Sequence, residues 1–393
     1  MNKSILINCI SVKRSAGGAF QVAKNFINSC LFNNRFNWIF LISEDLLLEF
    51  EGNEKFLMGN YFVFRTQPEV TTYMKALRLI RNIEKSLKPD LVYTIAAPSY
   101  FSFRAPEVMR YTNPWVADLN KYAFDTLNFG EKIKRHCYNF IQRMLIKKCK
   151  YFITQTDACK AGIIKITGYK NSVVKVIPNT LPSLYLKYAD QIAQPFDLSN
   201  VKIINVLYIT APHIHKNIDL IPEVIEHLVN KFNIKNIRFN ITVPINSPFL
   251  IRFYEKANSL GVKNYIVNHG YCNQDQLANL YLKSNIYFFP SLLETFSVSL
   301  LEALYFKQFI VATNFAFNKY ITGEAALYFE PLNSLDAAAK ISYLIQNKNS
   351  IDVKLVDELN TLLSNNNLFF NSSENFNSIL DFLQLVLVNS ENN

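Results

Sequence analysis

Glycine is scarce in this chain of 393 residues, with ten in all, and tryptophan occurs only twice. A collagen-like or glycine-rich low-complexity chain is thereby excluded. The phosphate loops that depend on glycine are missing as well: there is no G-x-x-x-x-G-K-[ST] and no G-x-G-x-x-G. H-E-x-x-H and G-x-S-x-G are also absent, so zincin and α/β-hydrolase chemistry lose support together with kinase and simple dehydrogenase chemistry. No D-x-D occurs, which removes the usual acidic clamp for a metal-bound nucleotide diphosphate.

Cysteines are few and scattered. Cys9, Cys30, Cys137, Cys149, Cys159 and Cys272 form no C-x-x-C pair, and a chain this long can build a core without a disulfide framework. Free thiols and a cytosolic setting are expected. No window approaches eighteen uninterrupted apolar residues, so no spanning helix is expected. The apolar stretch Ile5–Val12 is short, is broken by Asn8 and Ser11, and runs into Lys13 and Arg14. It reads as a first buried strand rather than a signal peptide.

What is abundant is apolar and aromatic: 50% of residues are hydrophobic and 14% aromatic. Such a chain buries enough surface to offset the entropy of ordering, which rules out disorder for most of its length. The formal net charge is +10, and it is unevenly placed. Residues 1–180 carry 26 Lys and Arg against 13 Asp and Glu, or +13, whereas 181–393 carry −3. An anionic partner for the first half follows from that asymmetry: nucleic acid, a phosphorylated substrate or a membrane surface.

Short runs rich in β-branched and aromatic residues alternate with helical patterns. In the first half they are Ser4–Ile10, Trp38–Ile42, Tyr61–Arg65, Leu91–Ile95, Val108–Thr112, Tyr151–Gln155 and Val173–Ile177. In the second they are Ile203–Thr210, Arg238–Val243, Tyr265–Asn268, Ile286–Phe289, Phe309–Ala312 and Ala326–Phe329. Strands alternating with helices predict βαβ units and parallel sheets. The two-proline stretch Pro178–Ser183, followed by the polar segment Asp190–Lys202, is the natural break. Two consecutive doubly wound α/β domains, 1–180 and 181–393, are expected.

Three segments carry candidate chemistry. The first is Pro290-Ser291-Leu292-Leu293-Glu294-Thr295-Phe296-Ser297, which leads into Val298-Ser299-Leu300-Leu301-Glu302. A helix is predicted to start near Thr295 as its N-cap, and the amides of a helix start favour a phosphate. Glu294 then precedes the helix, and Glu302 lies about two turns inside it. The second is Thr210–Asn217, at the end of a strand, where Lys216 is placed to neutralise a diphosphate. His213 and His215 form an H-x-H with no evident third metal ligand, so they read as phosphate-assisting residues and no metal site is expected. The third is Ser15-Ala16-Gly17-Gly18-Ala19, where two glycines permit close approach of a substrate to the backbone.

Residues 264–335 resemble the C-terminal domain of retaining glycosyltransferases of the family-4 type, which have the GT-B fold. The likeness runs through His269-Gly270-Tyr271, Leu277–Tyr281, the E-x7-E pair Glu294 and Glu302, and Gly323-Glu324-Ala325-Ala326-Leu327-Tyr328-Phe329-Glu330-Pro331. The resemblance implies two Rossmann-like domains facing each other across a cleft, the first binding the acceptor and the second a nucleotide sugar. It implies that Glu294 touches the donor sugar and Glu302 the ribose. Lys216 would meet the phosphates with the amides of Phe296 and Ser297, while Thr295, His213 and Gly270 would complete the donor site. Gly17 and Gly18 would form the acceptor and phosphate loop.

The family's usual arginine five residues before the lysine is Ala211 here, and its usual glycines around Phe296 are Thr295 and Ser297. Tyr111-Thr112-Asn113-Pro114-Trp115 stands where a histidine is often found. The activity implied is metal-independent sugar transfer with retention, to a lipid-linked or saccharide acceptor in bacterial surface polysaccharide synthesis, without a cofactor. A catalytically silent GT-B protein that binds a nucleotide sugar or glycan is the alternative.

The segment Glu131–Lys150 carries Lys132, Lys134, Arg135, Arg143, Lys147, Lys148 and Lys150 against one acid. Ile133, Tyr138, Phe140, Ile141, Leu145 and Ile146 are expected to give it an apolar helical face. Its basic side suits an anionic membrane surface. No nucleic-acid-binding module is evident, so nucleic acid is not an expected partner. A cytoplasmic protein, peripheral at the inner face of the cell membrane, is the resulting expectation.

Overall fold

The computed structural model describes residues 2–14, 17–64, 70–117, 120–168, 173–192, 201–347, 353–365 and 372–391. Ser15 and Ala16 of the glycine loop, Arg65 at the end of an expected strand, and 193–200 of the polar linker lie outside these residues.

All thirteen expected strand regions carry a strand. In the first unit these are β1 (Ser4–Cys9), β2 (Asn37–Ser43), β3 (Asn60–Phe64), β4 (Leu91–Ala97), β5 (Glu107–Tyr111), β6 (Tyr151–Thr154) and β7 (Val174–Val176). They form one parallel sheet of order β3-β2-β1-β4-β5-β6-β7. In the second unit, β8 (Ile204–Tyr208), β9 (Ile237–Ile241), β10 (Ile266–Asn268), β11 (Ile286–Phe289), β12 (Phe309–Thr313) and β13 (Ala326–Phe329) are ordered β10-β9-β8-β11-β12-β13. Each order reverses direction once, between β1 and β4 and between β8 and β11. The crevice beyond the carboxyl ends of two such strands is where doubly wound sheets bind ligands.

The strand sequences explain the burial. Ile286-Tyr287-Phe288-Phe289 is buried on both faces, as a parallel strand covered by helices requires. Five helices carry or support the candidate functional segments: α1 (Gly18–Leu31), α2 (Phe129–Ile146), α3 (Gln274–Leu282), α4 (Val298–Tyr305) and α5 (Ser372–Glu391).

The expected domain limits differ from the observed grouping. One unit comprises Met1–Asp118, Gly130–Asn179 and Ser372–Asn393; the other comprises Leu119–Phe129 and Thr180–Asn371. The chain thus crosses between Asn179 and Thr180, but α5 departs from the expected 181–393 range. Its Ile379, Leu380, Leu383, Val386 and Leu387 are buried with Ile5, Ile7, Tyr93 and Val108 of the first sheet. Asn375 Nδ2 also donates to Pro178 O at 2.6 Å. The apolar spacing of this helix declares that it must bury one face and is silent about which core receives it. The short segment 119–129 similarly joins the second unit.

Candidate active site

The carboxyl ends of β8 and β11 bring together two of the three sequence segments. After β8 the chain passes through Thr210 to a single 3-10 turn, Ile214–Lys216. Asn217 follows with a φ of 53°, in the left-handed region that a short polar side chain tolerates. Tyr208, buried within β8, donates its hydroxyl to Lys216 O at 2.8 Å and so fixes the lysine backbone. The loop after β11 is stitched to this turn: Leu292 N donates to His215 O at 2.7 Å, and Ser291 Oγ lies 3.3 Å from the same carbonyl. From the other side, Thr313 Oγ1 donates to Ser291 O at 2.7 Å.

On this frame Lys216 Nζ forms an ion pair with Glu294 Oε1. Ser291 Oγ donates to the same carboxylate oxygen at 2.8 Å. Both side chains are largely buried, so the pair is held at low dielectric, where charge counts for more than at the surface. The two residues singled out from separate segments therefore meet. The rings of His213 and His215 stack with centroids 5.6 Å apart, beside the same turn.

The helix after the loop begins later than expected. Ser297, not Thr295, is the N-cap of α4, its Oγ accepting from Leu300 N at 3.4 Å and lying 3.1 Å from Ser299 Oγ. Thr295 and Phe296 are buried in the preceding loop, and the Phe296 ring meets Tyr320 edge-on at 6.4 Å. Either Thr295 or Ser297 suits an N-cap by residue type; backbone conformation decides, and Ser297 has the extended φ of −98° and ψ of 110°. Glu302 consequently sits about 6 Å along the axis from the first helical residue, not two turns away.

Glu302 is buried, and Tyr281 of α3 donates to its Oε2 at 2.8 Å. Tyr281 in turn lies 5.8 Å from the Tyr287 ring and stacks on Phe306 at 5.0 Å. Burial pushes the Glu302 carboxyl up to about 7, against the lowering effect of the tyrosine hydrogen bond. Glu302 should accordingly make stability depend on pH. Below about pH 4.5 it is protonated in folded and unfolded chain alike. Between about 4.5 and 7 only the unfolded chain ionises, so stability falls as pH rises, by about 3 kcal/mol in all. Denaturant titrations at several pH values should show this loss in the wild type and its absence in Glu302→Gln, relative to each other.

Gly270 has a φ of 70°, and a Cβ there would lie 3.1 Å from Ile245 Cγ1. The positive φ favours glycine at this turn. Its amide donates to Asn268 Oδ1 at 3.2 Å, and neighbouring His269 Nε2 lies 2.9 Å from Asn240 Oδ1. Gly17 is the N-cap of α1 with a φ of 56°, and a Cβ at Gly17 or Gly18 would meet nothing within 4 Å. Gly17 and Gly18 thus border open space at the start of α1.

Sequence reasoning passed over Asn120. Its Nδ2 donates to Leu292 O at 2.7 Å, while its Oδ1 caps the helix Lys121–Asp125 through Ala123 N at 3.0 Å. A segment remote in sequence thereby braces the loop that carries Glu294. No local motif marks that role, since an asparagine before a short helix reads only as a cap. Among the described residues no group of three or more His, Cys, Asp or Glu is placed to hold a metal ion.

Residues 194–365 match the model of a family described as glycosyl transferases group 1. The second unit resembles that group. No protein of curated function matches the chain. Among solved structures, a glycosyltransferase from Rickettsia africae is 16% identical with a TM-score of 0.68, covering 98% of this chain and 99% of that one. HepE of Anabaena, in complex with UDP and glucose, is 13% identical with a TM-score of 0.69, covering 98% and 100%. The lipopolysaccharide outer core galactosyltransferase WaaB is 12% identical with a TM-score of 0.59, covering 98% and 99%. The fold is GT-B, with two Rossmann-like units, and glycosyltransferase is the function class supported.

Proposed function

We propose that this protein moves a sugar from a nucleotide-sugar donor to a saccharide or lipid-linked acceptor in bacterial surface polysaccharide synthesis, with retention of configuration, in the manner of the family-4 type. The observation that carries the reading is the meeting of Lys216 and Glu294, 78 residues apart in sequence, at the carboxyl edge of β8 and β11. HepE, similar in fold, is described in complex with UDP and glucose, and WaaB acts on the lipopolysaccharide outer core; both descriptions agree with this substrate class.

In this scheme the donor diphosphate lies against Lys216 and the amino end of α4. The lysine charge and the amides of the helix start offset the negative charge that develops as the sugar–phosphate bond breaks, so no metal or cofactor is required. His213 and Thr295 flank the phosphates, and Gly270 leaves room for the donor. Glu294 holds the sugar hydroxyls, which requires Lys216 to exchange its carboxylate partner for phosphate. Glu302 receives the ribose, and being partly protonated at pH 7 it is able both to donate and to accept. The Gly17–Gly18 loop serves the acceptor. A lipid-linked acceptor is met at the inner, cytoplasmic face of the membrane, to which the basic residues of Glu131–Lys150 draw the protein.

Thermal shift of the purified protein against UDP-, GDP- and ADP-sugars tests the donor claim. A ligand at a hundred times its Kd stabilises by about 2.7 kcal/mol, so the matching base should stand out. Slow donor hydrolysis without acceptor should accompany the shift. A shift without any turnover would support the silent, binding-only alternative, and no shift with any nucleotide sugar would sink the proposal.

A further inference from the structure

The helix α2 is built inside out. The segment was expected to carry an apolar helical face beside its basic residues; its inner face is made by Asn139, Gln142 and Ile146. Asn139 Nδ2 donates to Trp115 O at 3.2 Å, Gln142 accepts from Asn113 Nδ2 at 2.9 Å, and Arg135 lies over the Trp115 ring at 4.4 Å. Ile146 alone of the expected apolar face is fully buried. On the outside, Phe129 is 80% exposed, Phe140 65%, Met144 53%, Ile133 51% and Ile141 50%. Cys137 is exposed on the same side.

The spacing of 129, 133, 137, 140, 141 and 144 places these six positions within about 120° of arc, at 3.6 residues per turn. They form one stripe along a helix of 18 residues, about 27 Å long at 1.5 Å per residue. Lys134 borders the stripe on one side and Lys132, His136 and Arg143 border it on the other, while Lys147 and Lys148 follow the last helical residue, Ile146. Exposed apolar side chains such as Met58 and Ile251 occur elsewhere among the described residues, and scattered ones are ordinary. A contiguous apolar stripe is not.

We propose that the outer face of α2 inserts into an anionic lipid surface, with Phe129, Ile133, Phe140, Ile141 and Met144 in the acyl boundary and the flanking lysines and arginine at the head groups. The inference rests on the membrane part of the proposed function and goes beyond charge attraction, naming the residues that enter the lipid. Helices with this division of residues lie in the plane of the interface and do not cross it. Among the described residues no helix is long and apolar enough to span a membrane, which agrees with an interfacial role. Charge decides against a second copy of this chain as the occupant: apposing two such faces would bring two rows of basic residues together.

The test uses the full chain, vesicles of phosphatidylcholine with or without phosphatidylglycerol, and an environment-sensitive dye on Cys137 in a Cys272→Ser background. The other four cysteines are buried. Expected are a blue shift and co-sedimentation with phosphatidylglycerol vesicles only, weakening as salt rises because the attraction decays over a Debye length of about 8 Å. The combined change Phe140→Asp, Ile141→Asp should lower binding at least about tenfold at every salt concentration. Lys147→Glu, Lys148→Glu should lower it by a similar factor and lessen the salt dependence. These positions are exposed, and unchanged melting of each variant checks that it is folded.

Binding that survives the aspartate changes would show attraction by charge without insertion and overturn the inference while leaving the membrane reading. No preference for phosphatidylglycerol in the wild type would overturn both. A dimer in solution that dissociates on the aspartate changes would assign the face to a second copy instead. Thermal shift with nucleotide sugars reads the second unit separately, so none of these outcomes is confused with failure of the transfer reading.

Discussion

Replacing Lys216 with alanine is expected to slow transfer by roughly a hundred- to a thousandfold, the loss seen when one preorganised donor to a developing oxyanion is removed. The charge on the departing diphosphate grows as the bond to the sugar breaks, so a cation aimed at it acts mostly in the transition state. The lysine is aimed by its surroundings: Tyr208 ties its carbonyl, the 3-10 turn limits its backbone, and Glu294 holds its ammonium group. The loss should therefore appear chiefly in kcat, with nucleotide affinity reduced less. Folding offers a check on the interpretation. Removing one partner of a largely buried ion pair leaves the other uncompensated, so melting of Lys216→Ala must be measured beside its rate. Lys216→Arg, which keeps the charge, should recover part of the rate. Chelators should leave the wild-type rate nearly unchanged. Loss of activity in chelator, restored by magnesium or manganese, would count against the metal-independent scheme.

The strands were legible because a parallel strand covered on both faces must be almost wholly apolar, and Ile286–Phe289 and Phe309–Thr313 are. Their parallel pairing followed from the alternation with helices. Three features were not legible, each for a physical reason. The start of α4 turned on backbone angles at Thr295 and Ser297, two residues of nearly equal capping preference. The docking of α5 on the first unit depends on complementarity with a core more than 200 residues earlier, which helical periodicity does not encode. The polar inner face of α2 was not marked because the sequence shows only that apolar residues recur with helical spacing. The polar partners that claim the opposite face, Trp115 O and the Asn113 amide, come from elsewhere in the chain. At the candidate site, Lys216, Glu294 and Glu302 were legible by type and spacing, whereas Ser291, Tyr281 and Asn120, which hold the loop and the carboxyls, were not.

The two glutamates are expected to part company when each is replaced by glutamine. Glu294 lies in the loop before α4, where its carboxylate is shared by Lys216 and Ser291. If it holds the sugar while the leaving group departs, its interaction strengthens as positive charge develops on the ring, and Glu294→Gln should lower kcat by about a hundredfold or more with little change in KM. Glutamine keeps the shape and the acceptor oxygen, so the loop stays stitched through Ser291 and His215, and the effect isolates charge. Glu302 differs in kind. It is buried against Tyr281, and burial lifts its carboxyl to about 7. A ribose contact is the same in ground and transition states, so Glu302→Gln should raise KM for the donor and spare kcat. The raised value also gives the two variants different pH behaviour. In the wild type, donor affinity should change across about pH 6 to 8 as Glu302 ionises, and Glu302→Gln should flatten that change while Glu294→Gln leaves it in place. Steady-state kinetics of donor use at a series of pH values reads both effects at once. Equal, small losses from the two substitutions, with the same pH profile, would show that neither carboxyl has the role assigned to it.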